Sequence, residues 1–292
     1  VTDQTSAHDT LYGYVPAGMS VEETQTMRKS DPNEVRARAL KSIAREVEAI
    51  LEMKQRGAIV FDNGNNIRSQ AREAGVTNAF DIDIFTARYL RPLFCKGIGP
   101  FRWIALSGNP DDIHYIDNLV LEHFADNELA TNWVKLASQH IKFEALPARI
   151  CWLGHGERTK LALLVNEAVR TGKLTAPVAF TRDHLDGAAM AHPHIGTEGM
   201  ADGSDAISDW PLLNALLNTA AAADLVAIHS GGGGYAGYMT SAGATIIADG
   251  SEDAAQRLST ALTADTGLGV LRFADAGCQE AQKVAENDSL GL

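Results

Sequence analysis

Leu146-Pro147-Ala148-Arg149-Ile150-Cys151-Trp152-Leu153-Gly154-His155-Gly156-Glu157-Arg158 is the stretch on which the fold turns. A short apolar run with a single thiol ends in a Gly-X-Gly turn, and charges follow at once. That pattern predicts a buried strand emptying into a loop, with Cys151 near the exit. In parallel α/β sheets, loops at strand ends are where ligands bind. The same strand–loop–helix rhythm recurs along the chain. Ala58-Ile59-Val60-Phe61 runs into Asp62-Asn63-Gly64-Asn65-Asn66, and Ala176-Pro177-Val178-Ala179-Phe180 runs into Arg182-Asp183-His184-Leu185-Asp186. Leu225-Val226-Ala227-Ile228-His229 opens into a glycine run from Gly231 to Gly234, and Thr245-Ile246-Ile247-Ala248 ends at Asp249-Gly250. The fold class expected is α/β.

Helices fill the intervals. Ser20 with Glu23 makes a capping box. Asp31-Pro32 starts a longer helix whose apolar positions Val35, Ala39, Ile43, Val47, Ile50 and Leu51 repeat at three and four residues, and Gly57 closes it. A short helix over 69–74 follows. Amphipathic helices are predicted over 111–123, 129–141 and 160–171, with an Ala/Leu-rich one over 210–223 and another over 253–263. Pro92 and Pro100 forbid a continuous helix between them, so a domain junction is placed near residue 90.

Composition narrows the function. The net charge of −12 over 292 residues argues against nucleic acid and against anionic membrane surfaces. Three cysteines, Cys95, Cys151 and Cys278, lie too far apart for a CxxC metal pair or a disulfide framework, and a reducing cytosol is the expected compartment. No apolar run approaches a membrane span. No cluster predicts a metal site. The chain begins at Val1 in a polar loop, which reads as one piece of a larger polypeptide.

Several side chains are placed to do chemistry. Arg102, between Phe101 and Trp103, has the planar fork that pairs a substrate carboxylate; packing against its aromatic neighbours is the competing role. Asp183, His184 and Asp186 offer two carboxylates and an imidazole within four residues beyond a strand, suited to acid/base work or to a surface salt-bridged turn. The glycine run around Gly232 and Gly233 allows close backbone approach to a flat ring or a phosphate. It has neither the Walker lysine nor the Rossmann spacing. The loop over 188–208 is long enough to be functional or disordered.

Specific stretches of the chain resemble urocanate hydratase, the urocanase family. They are Thr2-Asp3-Gln4-Thr5-Ser6-Ala7-His8-Asp9, Gly64-Asn65-Asn66-Ile67-Arg68, Arg91-Pro92-Leu93-Phe94-Cys95, Gly97-Ile98-Gly99-Pro100-Phe101-Arg102-Trp103, the Cys151 stretch, Arg182-Asp183-His184-Leu185-Asp186, and Asp202-Gly203-Ser204-Asp205 running on through Asn218-Thr219. The resemblance covers essentially the whole chain and corresponds to the C-terminal part, roughly half, of the family polypeptide. It implies that residues 1–90 form the C-terminal part of a Rossmann-like NAD-binding domain and 91–292 the C-terminal part of the core domain. It also implies a cytosolic homodimer in which the N-terminal part of the same polypeptide completes the enzyme. The activity implied is NAD-dependent addition of water to an imidazole acrylate in histidine or histidine-derivative degradation, with NAD⁺ as electrophile rather than hydride carrier. By position, Gln4, Thr5, Ser6, Ala7, His8, Tyr14, Val15, Asn63, Gly232 and Gly233 would contact NAD. Cys151 matches the family's active-site cysteine, where a cationic nicotinamide would bias the thiol toward thiolate.

The chain departs from the family in its loops. Asn63 stands where the family has tyrosine in Asp-Tyr-Gly-Asn. His229-Ser230 replaces His-His, Thr240-Ser241 replaces Gln-His, and Pro193-His194-Ile195-Gly196-Thr197-Glu198 replaces Pro-Asn-Arg-Glu-Thr-Glu. These changes suit a ring-modified substrate such as thiourocanate. They also suit a non-catalytic NAD-binding paralogue, against which the kept Cys151, Arg102 and Asp183 to Asp186 weigh. A cysteine hydrolase using Cys151 and His155 is a weaker alternative, since no third orienting residue is evident.

Overall fold

The computed structural model describes residues 1–182, 185–230, 239–288 and 290. The chain divides into two compact units. The first comprises Val1–Arg91, Ala191–Ile207 and His229–Thr240, and the second Pro92–Met190, Ser208–Ile228 and Ser241–Leu292.

The first unit is mostly helical: α1 (Val21–Ser30), α2 (Pro32–Gln55) and α3 (Ile67–Glu73) surround a parallel pair, β1 (Phe61–Asp62) and β2 (Asp83–Ile84). The predicted capping box opens α1: the Glu23 N–H donates to Ser20 Oγ at 3.1 Å, and the Ser20 N–H donates to the Glu23 carboxylate at 2.8 Å. Asp31 caps α2, which buries the six apolar positions read from the sequence. β1 is shorter than the expected strand over 58–61. The reason is that the Ile59 carbonyl and the Phe61 N–H bond to Val1 rather than to a neighbouring strand. The segment Ala191–Ile207 packs with this unit. Arg68 holds it, donating to the His194 carbonyl at 2.6 Å and to the Glu198 carboxylate at 2.6 Å. The Gly196 N–H also donates to Thr86 Oγ1 at 2.9 Å.

After the short α4 (Arg91–Phe94), the second unit runs β3 (Gly99–Ala105), α5 (Pro110–His123), α6 (Glu128–His140), β4 (Ala148–Leu153), α7 (Glu157–Arg170), β5 (Val178–Arg182), β6 (Met190–Ala191), α8 (Asp209–Ala220), β7 (Leu225–Ser230), β8 (Thr240–Ala248), α9 (Glu252–Asp275) and α10 (Gln279–Asn287). The sheet order is β4-β3-β5-β8-β6, with β7 also on β8. The ladders of β3 with β4, β3 with β5, and β5 with β8 are all antiparallel, so this is not the parallel sheet that the strand–loop–helix rhythm suggested. The strand responsible is β3, which the prolines at 92 and 100 disguised. Because β4 and β5 both run against β3, their exits share one end of the sheet with the start of β3.

One face of the sheet carries the core. Phe101, Trp103, Cys151, Leu153, Phe180 and Ile246 pack with Ile113 and Ile116 of α5, Leu161 and Val165 of α7, and Leu258 and Leu262 of α9. Phe101 stacks on Phe180 with ring centroids 5.2 Å apart. α9 continues to Asp275, twelve residues past the end predicted at 263. Gly267 and Gly269 weaken a helix by roughly 1 kcal/mol each, and the helix nevertheless continues through both, with Gly269 packed against Ala188. Among the described residues no helix is long and apolar enough to cross a membrane.

Candidate functional site

Strand alternation puts Arg102 on the face opposite Phe101 and Trp103. It lies across from Ile150 on one side and Thr181 on the other, and it is half-buried. Its side chain therefore does not join the apolar core that Phe101 and Trp103 enter.

Cys151 sits on the other face, opposite Phe101 in the ladder and 1% exposed. Burial pushes its thiol up to about 12, more than the Trp152 N–H lowers it. The lean toward thiolate expected from sequence is therefore not a property of the chain itself, whose packed interior favours the neutral form. His155 does not serve it as a base. Its Nδ1 is 2.7 Å from Thr266 Oγ1, whose own hydroxyl proton goes to the Leu262 carbonyl at 2.8 Å. That leaves the cysteine-hydrolase reading without an activated nucleophile.

The shared sheet end holds a buried ionic network. Arg158, at the start of α7, donates through Nε to the Leu153 carbonyl at 2.9 Å and through Nη2 to Asp186 at 2.8 Å. Arg182, the last residue of β5, makes a two-pronged pair with Asp265 of α9, at 2.9 and 2.7 Å. Asn214 and Asn218 of α8 donate to the same Asp265 oxygen at 2.7 and 2.8 Å. All of these side chains are buried. Burial alone would raise Asp265, yet the Arg182 guanidinium holds it well below the usual carboxylate range. Burial raises Asp186, and Arg158 only partly offsets that.

Asp186 was expected in acid/base chemistry, and the structure sets it against an arginine in the interior. Asp183 and His184 lie outside the described residues, as do Gly232 and Gly233. Arg158, Asp265, Asn214 and Asn218 were not anticipated as functional. A signal existed for two of them: Arg158 falls at helical spacing with Leu161, Ala162 and Val165, and Asp265 with Leu258, Ala261 and Leu262. A charge on an apolar stripe needs a buried partner.

The expected NAD contacts lie in the first unit. Gln4 and Ser6 are exposed, Thr5 and His8 half-buried, and Ala7 buried. Asp3 ties this loop down, accepting from the Thr5 hydroxyl at 2.8 Å and from the Asn65 amide. Asn63 is half-buried just beyond β1, and the Gly64 N–H turns back to Asp62 at 2.7 Å. Val15 is 39% exposed. Tyr14 is a different case: its ring is in the core, and its hydroxyl donates to Glu46 at 3.1 Å. Among the described residues of this unit, buried polar atoms without a hydrogen-bond partner include Asp3 Oδ1, His8 Nδ1 and Ser69 Oγ. Orphaned donors and acceptors of this kind suit the hydroxyl and amide groups of a dinucleotide. Among the described residues no group of side chains could hold a metal ion.

Two family models match the chain in turn. The urocanase Rossmann-like domain matches residues 1–89 and the urocanase C-terminal domain matches residues 92–287. With both models covering nearly its whole length, the chain belongs to the urocanase family.

Proposed function

We propose that this protein is an NAD-dependent hydratase that adds water to the acrylate of urocanate or of a ring-modified urocanate such as thiourocanate. The observation that carries this reading is Arg102. Arg102 is half-buried in the middle of β3, between Ile150 of β4 and Thr181 of β5, on the sheet face away from Phe101 and Trp103.

Bound NAD⁺ supplies an electron-accepting ring that polarises the conjugated substrate. The chain's own residues do the rest. Asp3 and His8 of the loop over 3–8, with Ser69, would hold the cofactor through polar atoms that the fold leaves unpaired, and Asn63 would add its side-chain amide. Arg102 pairs the substrate carboxylate through its planar fork, fixing the orientation of the acrylate. Asp183 and His184 are the groups to move protons as water adds. Cys151, neutral and packed, contributes shape to the sheet rather than a nucleophile. The reading carries with it a cytosolic homodimer of the full polypeptide.

The loop over 191–198 favours a modified substrate within this class. Glu198 is held by Arg68, and the His194 ring packs 4.7 Å from Phe80. Groups at 195 and 196 that are polar in the family pattern are here Ile195 and Gly196, with Ile195 fully buried. A spectrophotometric assay of the full polypeptide on urocanate and thiourocanate tests the proposal. Loss of acrylate absorbance with one of them is expected. Unchanged absorbance with both, in protein that retains NAD, would mean a binding protein and not a hydratase.

A further inference from the structure

One row of side chains crosses three strands on the sheet face that the core leaves aside. Arg102 of β3 pairs in register with Thr181 of β5, and Thr181 with Thr245 of β8. Their chain neighbours Trp103, Phe180 and Ile246 form the adjacent row, and all three are in the core. Alternation therefore turns Arg102, Thr181 and Thr245 together to the opposite face, where each is half-buried. Two residues further along the strands the same face is apolar, with Ile104, Ala179 and Ile247 in register. Strand propensity does not explain the threonines, since valine or isoleucine would serve as well. Neither threonine hydroxyl is bonded to another described residue.

We propose that Thr181 and Thr245 are specificity-determining residues, which with Arg102 read a small carboxylic acid carrying one hydrogen-bonding ring. Cross-strand neighbours on one face have Cβ atoms about 5 Å apart, so the Thr181 hydroxyl can donate to a carboxylate that the Arg102 guanidinium pairs. Thr245 lies one strand further, about 10 Å from Arg102 across the sheet. That is the reach of a ring joined to its carboxylate through an acrylate, and a ring nitrogen would meet the Thr245 hydroxyl. The flat body of the ligand would rest beside them on Ile104, Ala179 and Ile247. A site that hydrogen-bonds its ligand rejects an analogue lacking the polar atom, because the site's own groups are then left unpaired. The identity of the acid rests on the hydratase reading above; the row itself does not.

The test uses the full polypeptide with NAD bound, and imidazole propionate, the saturated analogue of the acrylate, as a probe that does not undergo the hydration. Calorimetry should show Thr181→Val raising its Kd about ten- to a hundredfold, as for one hydrogen bond to a charged group, and Thr245→Val about three- to tenfold. Thr181→Ser and Thr245→Ser keep the hydroxyls and should bind within about threefold of the wild type. Urea midpoints of the valine variants should not fall, since no bond within the protein is removed. In turnover the valine variants should raise KM with kcat nearly kept, and should shift the preference between urocanate and thiourocanate. An unchanged Kd in either valine variant would overturn the role of that threonine. Equal losses in the serine and valine variants would make the threonines packing residues and overturn the proposal, as would wild-type protein that binds no imidazole propionate. Wild type that binds the probe and turns over neither acrylate would sink the hydratase reading and leave the row standing.

Discussion

The loop over 3–8 and the ionic network around Asp186 use polar side chains in opposite ways. In the first, Asp3 Oδ1 and His8 Nδ1 are buried with no partner, and Ser69 Oγ in the same unit joins them. In the second, the Asp265 carboxylate alone accepts from Arg182, Asn214 and Asn218. Both regions hold stretches that resemble the family, so sequence likeness does not tell them apart. The difference is in what the bonds are for. A buried polar atom left unpaired costs stability and is retained where a ligand will pair it. A saturated network costs desolvation and returns geometry.

Breaking the saturated side should have the largest effect. Asp265→Ala strips four hydrogen bonds and leaves the buried Arg182 without its carboxylate, so a loss of about 3–5 kcal/mol is expected, read from the urea midpoint. A loss below about 1 kcal/mol would mean that the network is wet or relaxes easily. The thiol chemistry comes next. With Cys151 pushed up to about 12 from 9.0, its thiolate fraction at pH 8 falls about a thousandfold below that of an ordinary cysteine. Iodoacetamide on the native chain without cofactor should therefore label the half-buried Cys278 first, and mass spectrometry of the peptides would show it. Labelling of Cys151 ahead of Cys278 would restore the thiolate reading.

Acid should distinguish the network by sign. Asp265 ionises below its usual value of 3.8 in the folded chain, so its stabilisation is complete above that pH and is lost as pH falls below it. Asp186, raised by burial, works against this slope. Asp265→Asn should flatten the acid limb of the stability curve, and an unchanged limb would assign acid unfolding to other carboxylates. On the unsaturated side, His8→Ala should weaken NAD binding by about tenfold, the worth of one hydrogen bond to a polar ligand, with the urea midpoint nearly unmoved. Smallest of all, Ser69→Ala should leave stability within about 1 kcal/mol of the wild type or slightly above it, because the hydroxyl it removes has no partner. A marked loss at either position would show that these atoms are structural, and the contrast between the two regions would collapse.

Local pattern carried much of the helical structure. The capping box at Ser20, the six-residue apolar face of α2 and the strand around Cys151 are all short-range features, set by spacing and turn chemistry. Where the reading went astray, the cause was long-range. β3 begins Gly99-Pro100 and carries Arg102, so nothing local marks it as the strand between β4 and β5. α9 runs through Gly267 and Gly269 with residues 265–270 buried, so tertiary packing rather than helix propensity carries it there.

By itself the sequence determined the family, the α/β class, and the stretches in which function is concentrated. Those follow from residue identity and from periods of two to four residues. Only the tertiary structure decided what individual side chains in those stretches do. Cys151 and Arg102 are both strand residues of like outward character in sequence, and one step of strand register sends the thiol into the core and the guanidinium to the other face. Asp186 reads as an acid beyond a strand until Arg158, twenty-eight positions earlier in the chain, closes on it. The physical reason is that burial and ion pairing are set by elements distant in sequence, and these decide whether a polar group is spent on the fold or kept for a ligand.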